Sequence, residues 1–353
     1  MDIVTHGLAS FAIARGFFPR AGRAATASAV LAGTIANIDW LSNYFGPSAY
    51  LAWHGTYTHS IFAAVLISAV FPAIFLARVL MGGKGIAAEA PKENAVSFDV
   101  HALRVLILGT FLLPFCAALL HIAMDACQSD GVALLWPFSS RRFAADWLPG
   151  IDPWILTILI ACIALPELLH LVSSEIGAKS KKPRGKTGAI IGLVLVLVYI
   201  GARATLHSNV LALMESRTFH GETPRRVSAF PETLSLLTWH GIVQTEGALN
   251  EIDVDAASAD TFDADSSVRQ FKPDPSAALD AARNAAVARR FLATARIPKA
   301  SLEKTEAGYV VVLRDLRYAA AGETQHEIAA VIELDPNNKV TSQELVWARD
   351  LRR

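Results

Sequence analysis

Six side chains within the first 125 residues have the chemistry of metal ligands: His6, Asp39, His54, His59, His121 and Asp125. His121 and Asp125, in HIAMD, are spaced i, i+4 and share one helix face, and Asp2 and His6 repeat that spacing. His54 and His59, in HGTYTHS, are five apart in a segment that leads into an apolar run, so two imidazoles can converge there. Thr58 could cap that run or hold the His59 ring in one tautomer. Imidazoles and carboxylates without thiolates suit a divalent ion, zinc foremost and manganese second. Such an ion polarises a phosphoryl or carbonyl oxygen and lowers the pKa of a water, with Asp39 or Asp125 able to double as base. Taken singly, each of these residues has a plainer role as an interhelical hydrogen-bonding group. Their gathering beside apolar runs, where ionisable groups are costly, calls for a functional explanation.

Those apolar runs predict the elements that position the ligands. The chain of 353 residues is 53% hydrophobic and 18% charged, too apolar for an ordinary soluble domain and too charged for a membrane bundle alone. About 20 apolar residues suffice to cross a bilayer. Candidate spans are Asp2–Phe18, Ala24–Phe45, Ile61–Met81, Ala102–Met124, Pro153–Val172 and Gly188–Leu206. Arg15, Arg20 and Arg23, then Arg78, Lys84, Lys92 and Arg104, then Lys179, Lys181, Lys182, Arg184 and Lys186 mark three connections on one side, which the positive-inside rule makes cytoplasmic. All six candidate ligands then reach the opposite, outer face. Arg141 and Arg142 follow HIAMD in an outer loop and could bind a phosphate.

After His207 the long apolar runs end. Strands are expected at Leu237–Thr245, Ala248–Val254, Gly308–Leu316, Glu327–Leu334 and Val340–Val346, a helix at Pro275–Ala295 and a loop at Ala256–Pro273. The expected fold class is therefore an α-helical integral membrane bundle of about six spans, residues 1–207, followed by a small extracytoplasmic α+β soluble domain, residues 208–353. Net charge is zero, with 32 basic and 32 acidic residues, which leaves no bulk signal for a nucleic-acid partner. Cys116, Cys127 and Cys162 are an odd count in apolar surroundings, which argues against a disulfide framework and a cysteine zinc site. The N-terminus, with Asp2 in place of a basic stretch, is no typical signal peptide.

Four segments in order, MDIVTHGLAS, ANIDW, HGTYTHS and HIAMDACQSDGVALLWPFSSRR, make the first 200 or so residues resemble the YdjM-like family of predicted membrane-bound metal-dependent hydrolases of bacteria. The resemblance implies a multi-span protein of the bacterial inner membrane, a divalent metal and a hydrolytic activity. Carried over position by position, it implies His6, Asp39, His54, His59, His121 and Asp125 as ligands. Two positions depart from the family pattern. Asn37 stands where an aspartate is usual and keeps an amide oxygen without the charge, and Gly55 stands where an arginine is usual. A site at headgroup level makes a membrane lipid or lipid-linked ester or phosphoester the expected substrate. A transporter or metal-handling protein using the same residues, and a non-catalytic membrane scaffold, stay open as alternatives.

Overall fold

Asp2 starts the first helix. In the computed structural model, which describes residues 1–80, 107–175, 185–258, 261–318 and 327–352, its Oδ1 accepts from the backbone N–H groups of Val4 and Thr5 at 3.0 and 2.9 Å. Such a cap satisfies otherwise orphaned donors and contributes about 1 kcal/mol. The helices that follow are α1 (Ile3–Phe17), α2 (Gly22–Thr34), α3 (Pro47–Trp53), α4 (Ile61–Leu80), α5 (Leu113–Ala126, preceded by a π turn at Ile107–Leu112), α6 (Pro153–Glu175) and α7 (Lys186–Glu215). Small residues let three of them approach closely. Ala14, Ala25, Ala29, Leu113 and Ala117 form one buried cluster. A Cβ on Gly33 would collide with the Ser10 side chain and come within 3.4 Å of the Ala117 carbonyl oxygen, so this approach of α1, α2 and α5 admits only glycine.

The chain divides into two compact units. The first comprises Met1–Asp39, Gly55–Ala145 and Gly150–Gly201; the second comprises Trp40–His54, Asp146–Pro149 and Ala202–Arg353. The boundary expected at residue 207 falls inside α7, which runs on to Glu215.

Two stretches, Gly109–Ala126 and Lys186–Glu215, are long and apolar enough to cross a membrane, and three shorter apolar helices accompany them at Ile3–Phe17, Ile61–Ile74 and Pro153–Pro166. Six crossings are therefore not established among the described residues. The expected second span, Ala24–Phe45, is not one α-helix. α2 stops at Thr34 and a 3₁₀ segment takes over from Ile35 to Phe45. The Thr58 hydroxyl competes for the backbone there, donating to the Ala36 carbonyl at 2.8 Å, while the Asp39 carboxylate accepts from the N–H of Gly55 at 2.8 Å. The charges that set the expected orientation at Lys84, Lys92, Arg104, Lys179, Lys181, Lys182 and Arg184 lie outside the described residues.

The second unit holds two antiparallel four-stranded sheets with two short helices. The first orders β1 (Arg226–Pro231), β2 (Thr238–Gln244), β3 (Ala248–Asp255) and β4 (Val268–Phe271) side by side. Val210 and Met214, from the end of α7, pack with Trp239, Val243 and Val254 of this sheet. The second sheet orders β5 (Pro298–Thr305), β6 (Gly308–Asp315), β7 (Ile328–Leu334) and β8 (Val340–Trp347). Two short helices, α8 (Ala277–Asn284) and α9 (Ala286–Leu292), cover it through Ala278, Ala282, Ala288 and Phe291. The helix expected over Pro275–Ala295 is thus broken, because Ala285 is extended at φ −60° and ψ 147°. The expected loop Ala256–Pro273 contains a 3₁₀ turn and β4.

Candidate metal centre

His6 lies one turn into α1, His121 and Asp125 lie in the last turns of α5, and His59 stands just before α4. Three elements far apart in sequence thereby deliver four groups that can bind a cation. His6, His121 and Asp125 are buried, with ligand atoms within 4.8 Å of one another. Asp125 is the hub. Its Oδ1 is 3.0 Å from His6 Nε2, and its Oδ2 is 3.1 Å from Nε2 of both His59 and His121. The His6 and His121 rings stack at 3.7 Å. The Met1 amine donates to Asp125 Oδ1 at 2.7 Å and to Gln128 Oε1 at 2.8 Å.

The outer contacts fix the tautomers. His121 Nδ1 is 2.7 Å from the Gly33 carbonyl oxygen, which can only accept, so Nδ1 carries the proton. The same glycine that admits the helix approach supplies this acceptor. His59 Nδ1 is 3.1 Å from Asp39 Oδ2 and 3.0 Å from the Thr58 hydroxyl. Thr58 gives its own hydrogen to the Ala36 carbonyl and turns a lone pair to the ring, so His59 Nδ1 is also a donor.

Both Nε2 atoms, 3.0 Å apart, would then face each other with lone pairs. Only a proton or a metal cation between such atoms makes the arrangement favourable. Without a cation, the proton resides on His59. Burial alone would lower its pKa, but hydrogen bonds to the carboxylates of Asp125 and Asp39 outweigh that and push it up to about 9. His6 Nδ1 is buried without a hydrogen-bond partner among the described residues, a further nitrogen able to turn to a ligand. Carboxylate or carbonyl behind imidazole is the arrangement that orients metal-binding histidines. The donor set of three imidazoles and a carboxylate fits zinc, and manganese less closely.

Of the six sequence-proposed ligands, His6, His59, His121 and Asp125 come together. Asp39 stands behind His59, on its Nδ1 side, where it orients the ring. The His54 ring stacks on Tyr50 at 4.6 Å. Of the two loop arginines, Arg142 donates to the Thr56 hydroxyl at 3.1 Å and Arg141 lies over the Phe143 ring. The loop after α5 braces the HGTYTHS segment, through Ala133 N–H to the Gly55 carbonyl at 2.9 Å and Ile61 N–H to the Leu134 carbonyl at 3.1 Å. Gly55 has φ +66°, and a Cβ there would lie 2.8 Å from the Gly131 carbonyl oxygen, so the turn that aims its N–H at Asp39 requires glycine. Sequence reasoning missed the Gly33 carbonyl, which has no side-chain signal, and Gln128.

Comparison with known proteins adds two matches. The model of the YdjM inner membrane protein family matches residues 1–210, and that of the YfhP C-terminal alpha/beta plait domain matches residues 277–353. No curated protein and no solved structure matches the chain.

Proposed function

We propose a function on one premise: the chain belongs to the YdjM inner membrane protein family. In this reading it is a multi-pass, metal-dependent hydrolase of the bacterial inner membrane, with its C-terminal region extracytoplasmic. It cleaves an ester or phosphoester of a lipid or lipid-linked molecule. The observation that carries the reading is the pair of inward-facing Nε2 atoms of His59 and His121, 3.0 Å apart with both Nδ1 hydrogens already engaged.

His6, His59, His121 and Asp125 would hold the ion. A divalent ion there acts as a Lewis acid toward a carbonyl or phosphoryl oxygen and brings the pKa of water toward neutrality. The chain's own groups do the rest. Asp39 and Thr58 keep the proton of His59 on Nδ1, and Gly33 does the same for His121. Asp125, the hub carboxylate, would take a proton from the attacking water. The ligands sit at the ends of helices rather than along their lengths, which supports hydrolysis at a membrane face over passage of an ion through it. Exposed apolar residues such as Leu195, Leu197 and Val198 on α7 support a lipid environment and an amphiphilic substrate.

The test is hydrolysis of a short-chain phospholipid and of nitrophenyl esters by detergent-purified protein. Activity should vanish with a chelator and return with zinc or manganese. Metal flux into proteoliposomes without hydrolysis would replace this reading with a transporter; neither metal nor activity would leave a scaffold.

A further inference from the structure

We infer that the second unit carries an anion site of its own: a cavity of about 530 Å³ between its two sheets, which takes a phosphoryl group borne on an apolar moiety. The inference does not rest on the hydrolase reading, since every residue used lies after Gly201 or pairs within the second unit.

Five cationic side chains line the cavity, Arg226, Lys272, Arg283, Arg296 and Lys299, and among the described residues no carboxylate does. Their partners leave most of this charge unanswered. Arg296 is matched by Asp146 in a two-point contact at 2.5 and 2.6 Å. Lys272 donates to the backbone carbonyls of Thr245 and Glu246 at 2.8 and 3.1 Å, and Lys299 to the Gln270 amide oxygen. The Glu246 carboxylate, which acts on Lys272, is paired with Arg225 at 2.9 Å. The guanidinium groups of Arg226, on β1, and Arg283, in the last turn of α8, have no hydrogen bond or ion pair among the described residues. Two planar guanidinium forks facing one cavity without a counter-ion are suited to two-point contact with a tetrahedral oxyanion.

The floor is apolar. Ile242, Leu249 and Ile297 line the cavity and belong to a cluster shared by the two sheets, with Phe230 and Leu316. Phe271, 71% exposed, stands at its edge. A cationic wall over an apolar floor fits an amphiphilic anion better than free phosphate. The volume is that of a pocket for a single small molecule, not of an extended track for a nucleic-acid strand.

The full chain in detergent, with chelator present so that the first unit's site holds no metal, is titrated calorimetrically with inorganic phosphate and with dihexanoyl phosphatidic acid below its micelle concentration. Both should bind, the lipid at least about tenfold more tightly because its chains meet the floor. R226Q with R283Q should weaken both by about tenfold per arginine, with the thermal unfolding midpoint unchanged. Should the double variant fail to fold, R283Q alone, at an exposed helix position, should weaken binding by about tenfold. Unchanged affinity in the variants, or no saturable binding of either probe, would overturn the site. Equal affinity for the two probes would overturn the apolar half of the proposal and leave free phosphate as the ligand.

Discussion

Both units bury histidines, and they wire them in opposite ways. In the second unit His207, His220 and His240 each turn a nitrogen to an acceptor of its own: His207 meets the Ala229 carbonyl at 3.1 Å, His220 the Ser267 carbonyl at 3.2 Å and His240 the Asp253 carboxylate at 2.9 Å. In the first unit His59 and His121 spend their Nδ1 hydrogens on outward partners and turn their remaining nitrogens toward each other and toward one carboxylate. The difference teaches that a histidine's burial says little about metal binding. What matters is where the second nitrogen points once the first is satisfied.

Substitution of a ligand has the largest expected effect. His121→Ala or Asp125→Asn should abolish metal retention in purified protein, read by elemental analysis, whereas His207→Ala should leave it unchanged. Equal loss from both units would erase the distinction. Asp39→Asn sharpens it: as an orienting partner rather than a ligand, its loss should lower metal affinity by about 10- to 100-fold while preserving stoichiometry at saturation. Complete loss of stoichiometry would make Asp39 a ligand.

Acidity gives a smaller, graded effect. With its pKa raised to about 9, His59 keeps a proton that an incoming ion must displace. Metal affinity should therefore rise with pH, by about tenfold per unit, and level off above about 9. The sign reverses for the metal-free protein. A raised histidine pKa stabilises the fold fully below about 6.5, and that stabilisation is lost as pH climbs through about 9. Thermal midpoints of chelated protein should fall over this range, and those of His59→Asn should not. The smallest effect on metal is expected from the far side of the comparison. Phe291→Ala, in the core of the second sheet, should destabilise that region by about 3–5 kcal/mol and leave metal content untouched.

The convergence of His6, His59, His121 and Asp125 was legible in the sequence because each lies at the end of an apolar run, and helix ends gather at a common level. The role of Thr58 was legible from its place beside His59. Asp39 was found, but its position behind the ring was not, because spacing says which residues are near and not which atom faces which. The short helix Pro47–Trp53 packs through Tyr50 on Trp347, a partner almost 300 positions away that no local pattern reveals. Among the strands, β2, β3, β6, β7 and β8 carry enough apolar residues to be seen. β5, with PKASLEKT largely exposed, and β4, of four residues, have no apolar alternation to betray them. The 3₁₀ segment after Thr34 escaped because the side chains that pull on its backbone, Thr58 foremost, come from another part of the chain.

X-ray absorption at the zinc edge of metal-loaded, detergent-purified protein reads the ligand set itself. A coordination sphere of nitrogen and oxygen only, with the outer-shell scattering of about three imidazoles that His121→Ala reduces, is the predicted result. A sulfur ligand from Cys116, Cys127 or Cys162, or protein that retains no metal at all, would contradict it.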